Sequence, residues 1–222
     1  MRLCFKIIFL CICFGSLNAQ DFDPTNVNYN LLNELVLAKI NAKRESKGIK
    51  VLESNLKLND ASVYYTKKYS YKKFHHTSEN KLLIKKKVKL ICKQKGFNPH
   101  LINFHINNIQ AIKYSSKSYY YDVSDSASPL HLFYGDRKPN LAKNPDFVSE
   151  PIKLYSYDEL ADKIVDKMFH DEARNKAINK GYEFVGVSTV VDPKTVGGRK
   201  IPQLKVILIF GGRIINWIET NE

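Results

Sequence analysis

Hydrophobic positions along this chain fall first at helical and later at strand spacing. From Leu31 onward, Leu31, Leu35, Ala38 and Ala42, with Leu32 beside them, recur every three or four residues, and Gly48 stands where such a helix stops. A linker holding Leu52, Leu56 and Leu58 leads to a second periodic stretch, in which Ala61, Tyr65 and Lys68 or Tyr69 share a face and Asp60 is available as a cap. Residues 81 to 95 set Leu83, Ile84, Val88, Ile91 and Cys92 among lysines, the pattern of a third, amphipathic helix ending at Gly96. Residues 104 to 114 read as extended. Periodicity then fails from Ser115 to Tyr155, where Ser, Pro, Asn and Asp collect around Pro129, Pro139 and Pro145. A long surface excursion is predicted there, and loops of that length are often functional.

Order returns at Ser156. Ser156 and Glu159 have the spacing of a capping box in front of Leu160, Ile164 and Met168. A strand from Phe184 to Val191, the turn residues Asp192-Pro193 and Gly197-Gly198, and a second strand from Gln203 to Phe210 read as a hairpin with an extended loop. Gly211-Gly212 is expected to end that run before a short apolar stretch, Ile214 to Ile218. Helices first, strands last and an irregular centre predict an α+β fold with helices packed on a small antiparallel sheet.

Composition adds an address. Residues 1 to 19 have the parts of a secretory signal: Arg2 and Lys6, an apolar run from Ile7 to Phe14, then Gly15 to Ala19. The apolar run is well short of the roughly 20 residues that cross a bilayer. Cleavage near Ala19, secretion or export to the periplasm, and no transmembrane segment are the expectations. Cys13 follows Ile12, not a small residue, which argues against lipid attachment. Cys4, Cys11 and Cys13 leave with the leader, so the mature chain keeps Cys92 alone and forms no internal disulfide. Residues 20 to 28 read as a flexible segment. Residues 29 to 222 read as a single domain, long enough to bury a core, with the irregular insertion around 115 to 155.

The formal charge is +13, and the leader carries only two of the 35 basic residues and none of the 22 acidic ones. Much of the charge lies between Lys67 and Lys95. It serves either as a solvated helix face or as an attraction for anionic polymer or lipid. No motif of specific nucleic-acid recognition accompanies it.

Several segments resemble a known family, and their order carries the likeness. They are Asn41-x-x-Arg44-x-x-x-Gly48-Ile49-x-x-Leu52-x-x-Asn55-x-x-Leu58-x-x-Ala61, then Phe74-His75-His76-Thr77, then Leu160 through Ser188, and last Val206-Ile207-Leu208-Ile209-Phe210-Gly211. Together they resemble the CAP superfamily of cysteine-rich secretory proteins, insect venom antigens and plant pathogenesis-related proteins, and in particular its disulfide-free bacterial members with an SCP-type domain. The resemblance implies an α-β-α layered sandwich with a central cleft. It also implies a cavity of two histidines and two acidic residues, one acid in a Gly-Glu-Asn motif. His76 matches the first histidine. Asn107, within Ile106-Asn107-Asn108-Ile109, stands where the glutamate belongs, and an amide is neither a general base nor an anionic ligand. Lys167 takes the place of the second acid in one register. The second histidine is His170 counted from the helix start, whereas counting back from Val185-Gly186-Val187 puts Ala173 there.

His76 and His170 are thus the candidate metal ligands, and zinc or copper suits imidazole. A catalytic zinc site usually has three protein ligands and an open position, with His75, His105, Glu79, Asp171 or Glu172 as the available thirds. The alternative is that these histidines are hydrogen-bonded walls of a cleft. Cys92 sits in an apolar helical pattern and reads as a small buried hydrophobe, and no serine has a nucleophile-elbow context. Tyr119-Tyr120-Tyr121, with Tyr114, His131, Phe133 and Tyr134, form either a sugar- or lipid-contacting patch or a cover for the core. The functional expectation is a secreted, non-catalytic binding module for an extracellular or envelope ligand. Its rivals are a metal-assisted hydrolase working through His76 and His170, and a basic module adhering to anionic polymer.

Overall fold

A computed structural model describes residues 20–70, 77–113, 119–121, 132–134, 153–170, 181–196 and 199–212. Among them the helices are α1 (Tyr29–Glu45), α2 (Leu56–Tyr69), α3 (Ser78–Gln94) and α4 (Tyr157–Phe169). The strands are β1 (Glu53–Ser54), β2 (Leu101–Gln110), β3 (Tyr119–Tyr121), β4 (Leu132–Tyr134), β5 (Phe184–Val191), β6 (Lys194–Val196), β7 (Arg199–Ile201) and β8 (Gln203–Gly212). The fold is α+β. The residues gather into two compact units, one drawn from 28–109, 161–190 and 205–222, the other from the remainder. Residues 1 to 19, expected to be a leader, lie outside the described residues.

In the first unit, polar side chains bonded to main chain shape the passage from α1 to α2. The Asn41 side chain donates to the Leu52 carbonyl (2.9 Å) and accepts from the Leu52 amide (2.8 Å), as a neighbouring strand would. Arg44 is buried, and its Nε donates to the Lys50 carbonyl at 2.7 Å while Nη2 donates to that of Tyr182 at 3.0 Å. Between them Gly48 turns the chain at φ +66°, a region costly to residues with a Cβ. The side chain of Asn55 then accepts from the amides of Lys57 and Leu58 and starts α2. That cap lies five residues before Asp60, the expected one; Asp60 is inside the helix, paired with Lys95. α3 likewise starts earlier than its apolar pattern, on the Thr77 cap.

The four-stranded sheet runs β1-β5-β8-β2. It is mixed, not antiparallel as expected, because β1 lies parallel to β5 with Glu53 opposite Phe184 and Ser54 opposite Val185. The amides of Glu53 and Asn55 donate to the carbonyls of Glu183 and Val185 at 2.9 and 3.0 Å. Two residues are too few to show a period of two, so this strand leaves no mark in the sequence pattern. Phe104 and Ile106 of β2 and Ile207 and Ile209 of β8 join Leu58, Ala61 and Tyr65 of α2 and Ile84, Val88 and Cys92 of α3 in one core. α2 approaches β5 closely at Gly186, where a Cβ would run into the main chain of Leu58 and Asn59. The Asn59 side chain accepts from the Val187 amide there (2.9 Å). Gly211 and Gly212 continue β8 and do not end it. A Cβ at Gly212 would collide with the Gly181 carbonyl, so that glycine answers to a close backbone approach and not to a turn.

α1 and α4 lie side by side through Lys39 with Asp162 (2.8 Å) and Lys43 with Asp166 (2.5 Å). Each pair steps four residues along both helices in the same direction, so the helices run parallel. Such exposed pairs contribute about 0 to 1 kcal/mol each and set register more than stability. Lys43 and Lys47 also sit over the Phe169 ring, each 5.4 Å from its centroid.

In the second unit, Asp21 bridges Ser156 and Ile112 bridges Leu154, and Phe22 packs edge-on against Tyr157 at 5.6 Å. The expected capping box forms: Ser156 Oγ accepts from the Glu159 amide (3.2 Å), and Glu159 accepts from the Ser156 amide (2.8 Å). The hydrogen bond from Lys113, then that from the Ser156 amide, hold the Glu159 carboxyl below its ordinary range. The contact therefore contributes at neutral pH and is lost as the pH falls through that lowered value. Within the stretch expected to be irregular, β3 and β4 pair antiparallel, Tyr119 opposite Tyr134; three successive tyrosines hide any alternation. β6 and β7 form a second ribbon, Lys194 opposite Ile201, in the connection between β5 and β8.

Gly186→Ala is expected to cost more than about 3 kcal/mol, since the methyl meets main chain that cannot move aside. Gly48→Ala, with open space around it and only backbone strain to bear, is expected to cost about 1 to 2 kcal/mol. Urea unfolding of both variants checks the order.

Candidate functional site: the buried face of β2

Because Phe104 and Ile106 enter the core with α2 and α3, alternation turns His105, Asn107 and Ile109 to the opposite face of β2. His105 and Asn107 are buried there, 4% and 6% exposed. The His105 ring meets Phe210 of β8 edge-on, centroids 5.8 Å apart, and Phe210 is 5.9 Å from Tyr182. Burial pushes the Tyr182 hydroxyl above its ordinary pKa, so it stays protonated and able to donate. Asn107 Nδ2 is enclosed and finds no hydrogen-bond partner among the described residues. A buried donor left in this state costs about 1 to 3 kcal/mol.

α4 brings the next residue. With Asp162, Asp166 and Phe169 engaged by α1, Lys167 extends to β2, where its Nζ donates to the carbonyl of Asn108 at 2.9 Å. Lys167 is thus tied to main chain beside Asn107. His170 follows at the end of α4 with its side chain exposed and its amide bonded to the Asp166 carbonyl (2.9 Å). Glu79 is exposed in the first turn of α3. His76, with His75, Asp171, Glu172 and Ala173, lies outside the described residues, as do Tyr114 and His131. Among the described residues no three His, Cys, Asp or Glu side chains come together as a metal-binding group, and no helix is long and apolar enough to cross a membrane.

Cys92 is buried in the core of α2 and α3, as its pattern implied. Burial, with a smaller effect of Asp60, pushes its thiol up to about 11, so it is protonated at neutral pH and a poor nucleophile. Lys205 was not singled out from the sequence. It is 2% exposed, and its ammonium donates to the Tyr69 carbonyl at the end of α2, where a cation also meets the negative end of the helix dipole. A single lysine inside the apolar run from Leu204 to Phe210 was the available signal. Phe210 is equally invisible as a neighbour of His105, because only strand order brings the two together.

No family model matches the chain, and no curated protein sequence matches it.

Replacing Asn107 by leucine, similar in volume and without a donor to satisfy, is expected to raise the unfolding free energy by about 1 kcal/mol. Chemical denaturation measures it. A loss of stability would mean that the amide is bonded in the native state and belongs to the fold.

Proposed function

We propose that this is a secreted CAP-like domain with α-β-α layering that binds an extracellular or envelope ligand and does not hydrolyse it. The observation that carries the reading is Asn107, a buried amide whose Nδ2 has no hydrogen-bond partner among the described residues, at the position where the resemblance puts the family's glutamate. A carboxylate there would accept protons or hold a cation. The amide does neither, and instead offers its N–H donors to a neutral polar group. Lys167 adds to this. A cation bonded to the Asn108 carbonyl one residue away repels a metal ion and supplies no general base. The order α1, β1, α2, α3, β2, α4, β5, β8 supports the layered reading, and the leader supports export.

A hydrolase using His76 and His170 would have two imidazoles and no carboxylate from either family position. A catalytic zinc site normally draws three ligands from the protein and polarises a water at the fourth position. Zinc held by two imidazoles alone is expected to bind weakly.

The experiment is calorimetric titration of zinc into the chain beginning at Gln20, with peptidase, esterase and glycan-hydrolase assays on that protein and on His76→Ala. The expected result is no saturating zinc binding at micromolar protein and no turnover in either protein. Tight zinc binding with a hydrolytic rate that disappears in His76→Ala overturns the binding reading.

A further inference from the structure

The outward side of α3 joins leucines to lysines in a way the core does not require. Its inward positions, Ile84, Val88 and Cys92, recur every fourth residue. The opposite face therefore carries Lys86, Lys89 and Lys93 between Leu82, Leu83 and Leu90. The three leucines are 53%, 55% and 46% exposed. The surface continues onto α2, because Lys87 Nζ lies over the Tyr64 ring, 5.9 Å from its centroid, and Tyr64 is itself exposed. α3 holds six lysines against one acidic residue, Glu79.

We propose that this α2–α3 surface docks on an anionic lipid bilayer, with α3 lying in the plane of the headgroups. Charge and apolarity each remove one class of partner. The ammonium groups of Lys86, Lys89 and Lys93 disfavour burial against an apolar protein surface, where unpaired charge is expensive. A soluble polyanion would satisfy the lysines and leave the leucines in water. Only a surface that is anionic outside and hydrocarbon beneath takes both, with leucine side chains entering the acyl boundary while lysine stems lie along it and keep their charges at the phosphates. Because Ile84, Val88 and Cys92 remain in the protein core, α3 keeps its place in the fold and only its outer side chains enter the lipid.

The proposal takes the binding-module reading to a second surface, and its test leaves Asn107 and His76 unchanged so that the two fail separately. The chain beginning at Gln20 is sedimented with vesicles of phosphatidylglycerol and phosphatidylcholine, and with vesicles of phosphatidylcholine alone. A parallel measurement takes the salt concentration that elutes it from immobilised heparin. Binding to the anionic vesicles is expected to exceed binding to the neutral ones at least about tenfold and to weaken with salt. The triple variant Leu82→Ser, Leu83→Ser, Leu90→Ser is expected to lose at least about tenfold in vesicle partitioning while eluting from heparin with the wild-type protein. Lys86→Gln, Lys89→Gln, Lys93→Gln, whose substitutions are also confined to the surface, is expected to lose both interactions. Thermal melts by circular dichroism verify that each variant is folded. Equal binding to neutral and anionic vesicles overturns the proposal, as does vesicle binding by the folded leucine variant at the wild-type level. Should the leucine variant not fold, wild-type vesicle binding by the folded lysine variant overturns it alone.

Discussion

The buried guanidinium of Arg44 is the constraint on which the described part of the larger unit rests. It lies at the end of α1 and donates to the carbonyls of Lys50 and Tyr182, two segments far apart in sequence. Burial disfavours its charge, and an arginine cannot escape by losing its proton, so the carbonyls must stay where the guanidinium can reach them. Asn41, one turn earlier in α1, fixes Leu52 from both sides of its peptide group. β1 is set against β5 by these contacts, Asn55 starts α2, and α2 then lies close enough to β5 that only glycine fits at position 186.

This order of dependence explains which residues carry the likeness noted in the sequence. Asn41, Arg44, Gly48, Asn55, Leu58 and Ala61 each answer a geometric demand: a main-chain partner, a left-handed turn, a helix cap or a core contact. Demands of that kind admit few residue types. The face of β2 instead carries the buried polar side chains of His105 and Asn107.

The same distinction governs how much was legible in advance. α1, α3 and α4 have apolar positions at helical spacing, and the Ser156–Glu159 cap has its own spacing; both signals are local. α2 was found but begun late, because Asn55 precedes the apolar period it caps. β1 is too short for any pattern, and β3 and β4 have three residues each, those of β3 all tyrosine. Gly211-Gly212 resembles a turn until Gly181 is seen against it. At the site, Asn107 and His105 could be named from sequence, since two residues apart on a strand share a face. The contact of His105 with Phe210, that of Phe210 with Tyr182, and the hold of Lys167 on Asn108 depend on strand order and helix rotation, which are set by contacts distant in sequence.

Native-state hydrogen exchange at the Leu52 and Val187 amides tests the dependence on this clamp most directly. Both donate to asparagine side chains, Asn41 and Asn59, and not to a strand ladder. If side-chain-to-main-chain bonding holds the unit together, these two amides exchange only through global unfolding, with the free energy and denaturant dependence of β8. Exchange at either amide through a local opening that leaves the β8 amides protected would contradict it.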